Sequence, residues 1–266
     1  MKYYSVLPIG DNCEIAGHLV RNGYQESSLF RFAFSNLNNI CNCIRNNFRD
    51  VLSRNSIYPE SESMIKCKVS NISWHTKLNI KNNDSGFELS CSDTDYNKEI
   101  EKFNHLKSKT IRLLNNSDSI LFIYKSNSRK YENLIKFCDL ISTKYENLKF
   151  KVLVIKEEED PFETKDDRID IRKVKYLAPY SKAMTGGDDA SWDEILKDYL
   201  YISPFKNMVV NGSEPADYLR DTALIFEKEG DIVTANKLMF NAHLCRPTGS
   251  FIKIKLKEYE KILALG

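Results

Sequence analysis

Glycine and proline are scarce in this chain, with 10 and 7 among 266 residues, so proline-rich, collagen-like and glycine-rich architectures are excluded. Long apolar runs are missing as well. Ile120-Leu121-Phe122-Ile123-Tyr124 and Val152-Leu153-Val154-Ile155 are strand-sized, so no transmembrane segment is expected. Neither sign of charge dominates: 39 basic against 37 acidic residues leave a formal net charge of +2, without a basic stripe. A nucleic-acid partner is therefore not expected. The chain has no Walker loop, G-x-G-x-x-G, H-E-x-x-H or C-x-x-C. No cofactor and no metal are expected on that ground. Cys41-Asn42-Cys43 sets two thiols on different faces of a helix, which reads as core packing. Seven scattered cysteines, an odd number, favour reduced thiols over a disulfide framework. Met1-Lys2 leads into a short apolar stretch without a small-residue cleavage site, so no signal peptide is expected. The expected location is cytoplasmic.

What is present alternates between strand and helix patterns. Residues 3–10 read as a buried strand and 12–22 as its helix. Leu37, Ile40, Cys41, Ile44 and Phe48 carry helical spacing over 35–49. A polar, β-leaning insertion covers about 55–95, with Asn82-Asn83-Asp84-Ser85-Gly86 as a turn signal. A helix over 94–115 follows, then strand 119–124, helix 128–144 and strand 149–155, a unit that implies parallel pairing. Residues 169–176 read as a strand and 191–200 as a helix. The tail, 214–264, reads as three helices, with Gly230 ending the first and Asp231 capping the second. The expected fold is α/β: a mostly parallel sheet with flanking helices, the β-leaning insertion and a C-terminal helical appendage. The expected division is an α/β domain over 1–205 and a helical segment over 206–266.

Chemistry is suggested first by Cys13, which follows the first strand at a helix start. Partial positive charge and open N–H groups there favour a thiolate and lower a thiol's pKa. Asp11 and Glu14 have the D-x-x-E spacing of a helix cap. A thiol nucleophile needs a base within reach. Of four histidines, His18 lies on the first helix at a spacing that points it away from Cys13. His105 sits among lysines, and His243 lies in the helical tail. His75 follows Trp74 in a strand, where an indole can exclude water, and is the candidate base. Gly10, Asp11, Asn12 and Trp74 are candidates for oxyanion or substrate binding. So are Asp188, Asp189 and Trp192 in a glycine-containing stretch that reads as a lid. The competing reading makes Cys13 a buried, inert packing residue.

Leu7-Pro8-Ile9-Gly10-Asp11-Asn12-Cys13-Glu14-Ile15-Ala16, with Leu19 to Gly23, resembles the opening of a bacterial family labelled putative papain-like cysteine peptidase, a domain of unknown function. Ser27 to Ala33 stands where that family carries an aromatic cluster, and departs from its usual Pro-Phe-Asp-Trp. Trp74-His75 matches the later strand, with Thr76 in place of an acid. The resemblance implies a cysteine nucleophile at Cys13 and a histidine at His75. The tail, at Leu219-Arg220-Asp221 through Gly230-Asp231 and at Arg246-Pro247-Thr248-Gly249, resembles helical segments of capsule and surface-glycan proteins. That resemblance implies a carbohydrate or acyl-donor substrate and a membrane-associated glycan-assembly partner. The leading expectation is a thiol hydrolase or acyltransferase in surface-polysaccharide biosynthesis or modification. One alternative is an SGNH-like polysaccharide O-acetyltransferase, from Gly10-Asp11-Asn12, although Asn12 replaces the serine and no D-x-x-H block follows. Another is a non-enzymatic binding or scaffold component.

Overall fold

The computed structural model describes residues 2–3, 5–24, 26–117, 119–200 and 214–264. In chain order the elements are β1 (Val6–Pro8), α1 (Glu14–Arg21), β2 (Ala33–Phe34), α2 (Leu37–Arg45), β3 (Ile57–Ser61) and β4 (Met64–Cys67). They continue as β5 (Ser73–His75), β6 (Ile80–Asn83), β7 (Gly86–Leu89), α3 (Asp93–Asn116), β8 (Ser119–Lys125) and α4 (Leu134–Lys144). Last come β9 (Lys149–Glu157), β10 (Ile169–Val174), α5 (Asp189–Tyr199), α6 (Pro215–Lys228), α7 (Ile232–Cys245) and α8 (Ser250–Leu263).

The chain forms two compact units. The first comprises Val6–His18 and Ser27–Ile195 and holds both four-stranded sheets. One sheet is parallel, in the order β1-β8-β9-β10, with Leu7 opposite Phe122 and Phe122 opposite Val152. Its central strands are buried throughout Ile120–Tyr124 and Val152–Ile155. Strands covered on both faces read as unbroken apolar runs, which is why these two stood out in the sequence. The other sheet is antiparallel, in the order β2-β5-β4-β3, with Trp74 opposite Ala33 on one side and Ile65 on the other. The hairpin β6–β7 closes at the expected turn, where Gly86 takes a φ of +115° that only glycine adopts at no cost. Phe122 packs edge-on against Phe137 of α4 at 5.0 Å, fastening helix to sheet.

The α/β class is as the sequence predicts, and the differences lie at element ends. The helix predicted over 128–144 starts at Leu134. Ser126 holds the preceding residues in a turn, accepting from the Lys130 N–H at 3.3 Å through its hydroxyl and from the Arg129 N–H at 3.1 Å through its carbonyl. α2 stops at Arg45, because Asn47 and Phe48 turn left-handed at φ 51° and 57°. The second unit comprises Met1–Ser5, Leu19–Glu26 and Leu196–Gly266. Its three helices are those predicted for the tail. Ala223, Ala235 and Ala242 are buried, small enough to let the helices approach closely around Met239 and Tyr259. Asp231 caps α7 by accepting from the Thr234 N–H at 2.9 Å, and Arg246 clasps Asp217 at 2.7 Å. Residues 206–213 of the predicted helical segment lie outside the described residues. No helix among the described residues is long and apolar enough to cross a membrane.

Candidate active site

Cys13 occupies the turn between β1 and α1, and its setting is built by its neighbours. Asn12 is the cap: its Oδ1 accepts from the Glu14 N–H at 2.9 Å. The cap therefore falls one residue later than the D-x-x-E spacing predicts, and Glu14 does not reach back to close a capping box. Glu14 instead turns into the interior and meets Lys125, from the end of β8, at 2.8 Å, both side chains being fully buried. Trp192 Nε1 also donates to Glu14, at 3.3 Å. Burial pushes the Glu14 carboxyl up, against the opposing pull of Lys125. Asp11 accepts from the Asn127 N–H at 3.0 Å and the Tyr180 hydroxyl at 3.1 Å, and lies 3.6 Å from Lys125. The turn that carries Cys13 is thus tied to the ends of two parallel strands. The Cys13 carbonyl accepts from Gly17 at 2.9 Å, while its own N–H donates to no described residue.

The thiol itself is 5% exposed. Burial pushes its pKa up, and the Lys125 charge offsets part of the rise. The sequence expectation of a lowered thiol is corrected here: desolvation opposes the charged form and outweighs the nearby cation.

Cys13 and His75 line one cavity of about 360 Å³. Trp74, Phe103, Leu106 and Met184 supply much of its apolar wall. Trp74 is held by its indole N–H, which donates to the Leu29 carbonyl at 2.8 Å. The Leu29 N–H in turn donates to Thr110 on α3 at 2.8 Å. His75 ends β5 and is exposed. The residues after it are fastened by Glu99, a buried carboxylate on α3. Glu99 accepts from the Thr76 hydroxyl at 3.1 Å and the Lys77 N–H at 3.2 Å, and pairs with Lys102 at 2.5 Å. Ser28, also in the lining, is 4% exposed, and its hydroxyl has no hydrogen-bond partner among the described residues.

Other sequence candidates lie elsewhere. Gly10 is a packing position, where a Cβ would stand 2.8 Å from Ile15 Cδ1. Asn12 directs its amide to Asn127 at 3.3 Å, so both ends of its side chain are engaged. Trp192 is fully buried rather than part of a lid. It stacks on His18 at 4.5 Å, and His18 is itself buried. Asp188 accepts from the Ser191 hydroxyl at the start of α5, and Asp189 lies 3.5 Å from His18 Nδ1. Of the predicted lid it is Met184 that reaches the cavity. Gly187 lies against α1 at φ +93°, where a Cβ would stand 2.6 Å from Glu14 Oε1. Asp11 lines a second, more polar cavity of about 490 Å³, with Phe34, Asn36, Asn71, Ser128 and Tyr180. Among the described residues no group of three or more His, Cys, Asp or Glu side chains is arranged to hold a metal ion.

Sequence reading missed Lys125, Glu99 and Ser28. A lysine closing the apolar run 120–124 was the available signal for the first. Glu99 and Ser28 carry no local signal, because their roles arise only when α3 packs beside β5.

No curated protein and no solved structure matches the chain. A family model matches residues 4–160, more than half of the 266. With a cysteine at a helix start and a histidine at a strand end facing one cavity, the chain belongs to the family described as putative papain-like cysteine peptidase.

Proposed function

We propose that the chain is a thiol-dependent hydrolase or acyltransferase, with Cys13 as nucleophile and His75 as general base. The observation that carries this reading is the cavity that both residues line. Burial holds the Cys13 thiol up, so the reaction begins with removal of its proton. His75 takes the Sγ proton as sulfur attacks a carbonyl carbon, and the carbonyl electron pair moves onto oxygen. The Cys13 N–H, at the positive end of α1, is a donor for that oxygen. Collapse expels the leaving group, which takes the proton from His75. Water then cleaves the thioester in hydrolysis, or an acceptor hydroxyl cleaves it in transfer, with His75 removing the proton and passing it to Sγ as the C–S bond breaks. Glu99 acts as a positioning residue, through Thr76 and Lys77.

A carbohydrate acceptor is the finer part of the proposal. The cavity at Asp11 supports it with an exposed Phe34–Tyr180 pair at 5.3 Å beside amides and hydroxyls, chemistry suited to a polyhydroxylated ligand. The glycan-like tail supports a surface-polysaccharide setting. The SGNH-like alternative loses ground, since the Asn12 side chain is committed to its cap and to Asn127.

Alkylation of native Cys13 by iodoacetamide across pH, read by peptide mass spectrometry, tests the pair. His75→Ala is expected to slow the reaction at neutral pH by at least about ten-fold. An unchanged rate would overturn the pair and favour a binding or scaffold role.

A further inference from the structure

The cavity at Cys13 contains a polar atom that the fold itself does not use. Ser28 is 4% exposed and lines the cavity, and its hydroxyl finds no hydrogen-bond partner among the described residues. A buried hydroxyl left unpaired is costly, so it calls for a physical reason. The next residue, Leu29, is engaged at both backbone groups: its N–H donates to Thr110 and its carbonyl accepts from Trp74. That anchoring holds the backbone at Ser28 in place, and the hydroxyl proton can rotate to suit an incoming acceptor. The surrounding wall of Leu29, Phe32, Trp74, Phe103, Leu106 and Met184 offers little competing hydrogen bonding.

We infer that Ser28 is a substrate-contacting catalytic residue, whose hydroxyl donates to the carbonyl oxygen of an apolar acyl group held against that wall. The inference rests on the proposed Cys13 chemistry and adds to it the class of acyl group and a second oxyanion donor. As sulfur bonds to the carbonyl carbon, the oxygen gains the π pair and the Ser28 hydrogen bond strengthens, which is the condition for lowering the barrier. Leaving group and proton depart as in the proposed mechanism, and water completes turnover. The apolar wall favours a linear aliphatic or aromatic acyl group over acetyl, because added methylenes leave water for the cavity.

The test uses the full chain and p-nitrophenyl acetate, butyrate and hexanoate. Release of p-nitrophenolate and the mass of acylated Cys13 are followed together. Butyrate or hexanoate is expected to acylate Cys13 faster than acetate. Ser28→Ala is expected to slow acylation about 10²-fold. The same variant is expected to keep its iodoacetamide rate within about two-fold, since displacement at an sp³ carbon forms no oxyanion. It should not lose resistance to urea, because the removed group has no partner to abandon. Acylation unchanged in Ser28→Ala, or a preference for acetate, would overturn the inference while leaving the Cys13–His75 pair standing. A fall in both acylation and alkylation would also overturn it, and would mark Ser28 as a packing residue. Should Ser28→Ala lose its fold, Ser28→Gly also removes the hydroxyl without adding a reactive group, and the same two rates decide.

Discussion

At the scale of single residues, the strongest commitment in the first unit is the pair of Glu14 and Lys125, both fully buried and 2.8 Å apart. Removing one partner strands the other. Lys125→Met should cost about 3–5 kcal/mol, measured by urea unfolding. Adding Glu14→Leu should recover much of that loss. If the double variant falls by the sum of the two single losses, the charges are uncoupled and the account of the turn fails. The same lysine opposes the effect of burial on the Cys13 thiol. Cys13 was legible because a thiol after an apolar strand and before a helix is a local pattern. His75 was reached by elimination among four histidines. The residue that braces the cavity wall was not legible: Glu99 lies on the long helix α3, and only its packing beside β5 gives it Thr76 and Lys77.

At the scale of elements, α1 is pressed against the segment at Met184 with no room between. A Cβ on Gly17 would stand 2.4 Å from the Met184 carbonyl oxygen. Gly17→Ala raises helix propensity, yet should destabilise by about 1–3 kcal/mol through forced separation. It should also speed alkylation of Cys13 by loosening the cavity wall that Met184 forms. A more stable Gly17→Ala protein would show that the segment yields freely. Elements with strong period, such as α3 and the strands 119–124 and 149–155, were readable in advance. Their ends were not. Left-handed residues Asn47 and Phe48 stop α2, and a serine turn delays α4, because backbone hydrogen bonds found local partners that periodicity does not report.

At the scale of the whole molecule, buried thiols set an alkaline limit. Cys43 and Cys138, on the contacting helices α2 and α4, are pushed by burial from 9.0 up to about 12. The unfolded chain releases these protons near the ordinary value, and the folded chain keeps them until about 12. Between those limits the folded state binds more protons, so stability falls as pH rises, by up to about 1.4 kcal/mol per pH unit for each thiol. Urea midpoints should be steady below about pH 8 and decline above about pH 9. A flat alkaline profile would contradict the burial of these two side chains.

The anchoring of the Cys13 turn to β1 and β8 has an evolutionary corollary. The turn that carries Cys13 and much of the apolar wall of the cavity are supplied by different stretches of chain. Phe32, Phe103, Leu106 and Met184 can drift, or be randomised in a library, without disturbing the Asn12 cap or the Glu14–Lys125 clasp. Divergent members of such a lineage would keep one reaction and exchange the compounds that undergo it.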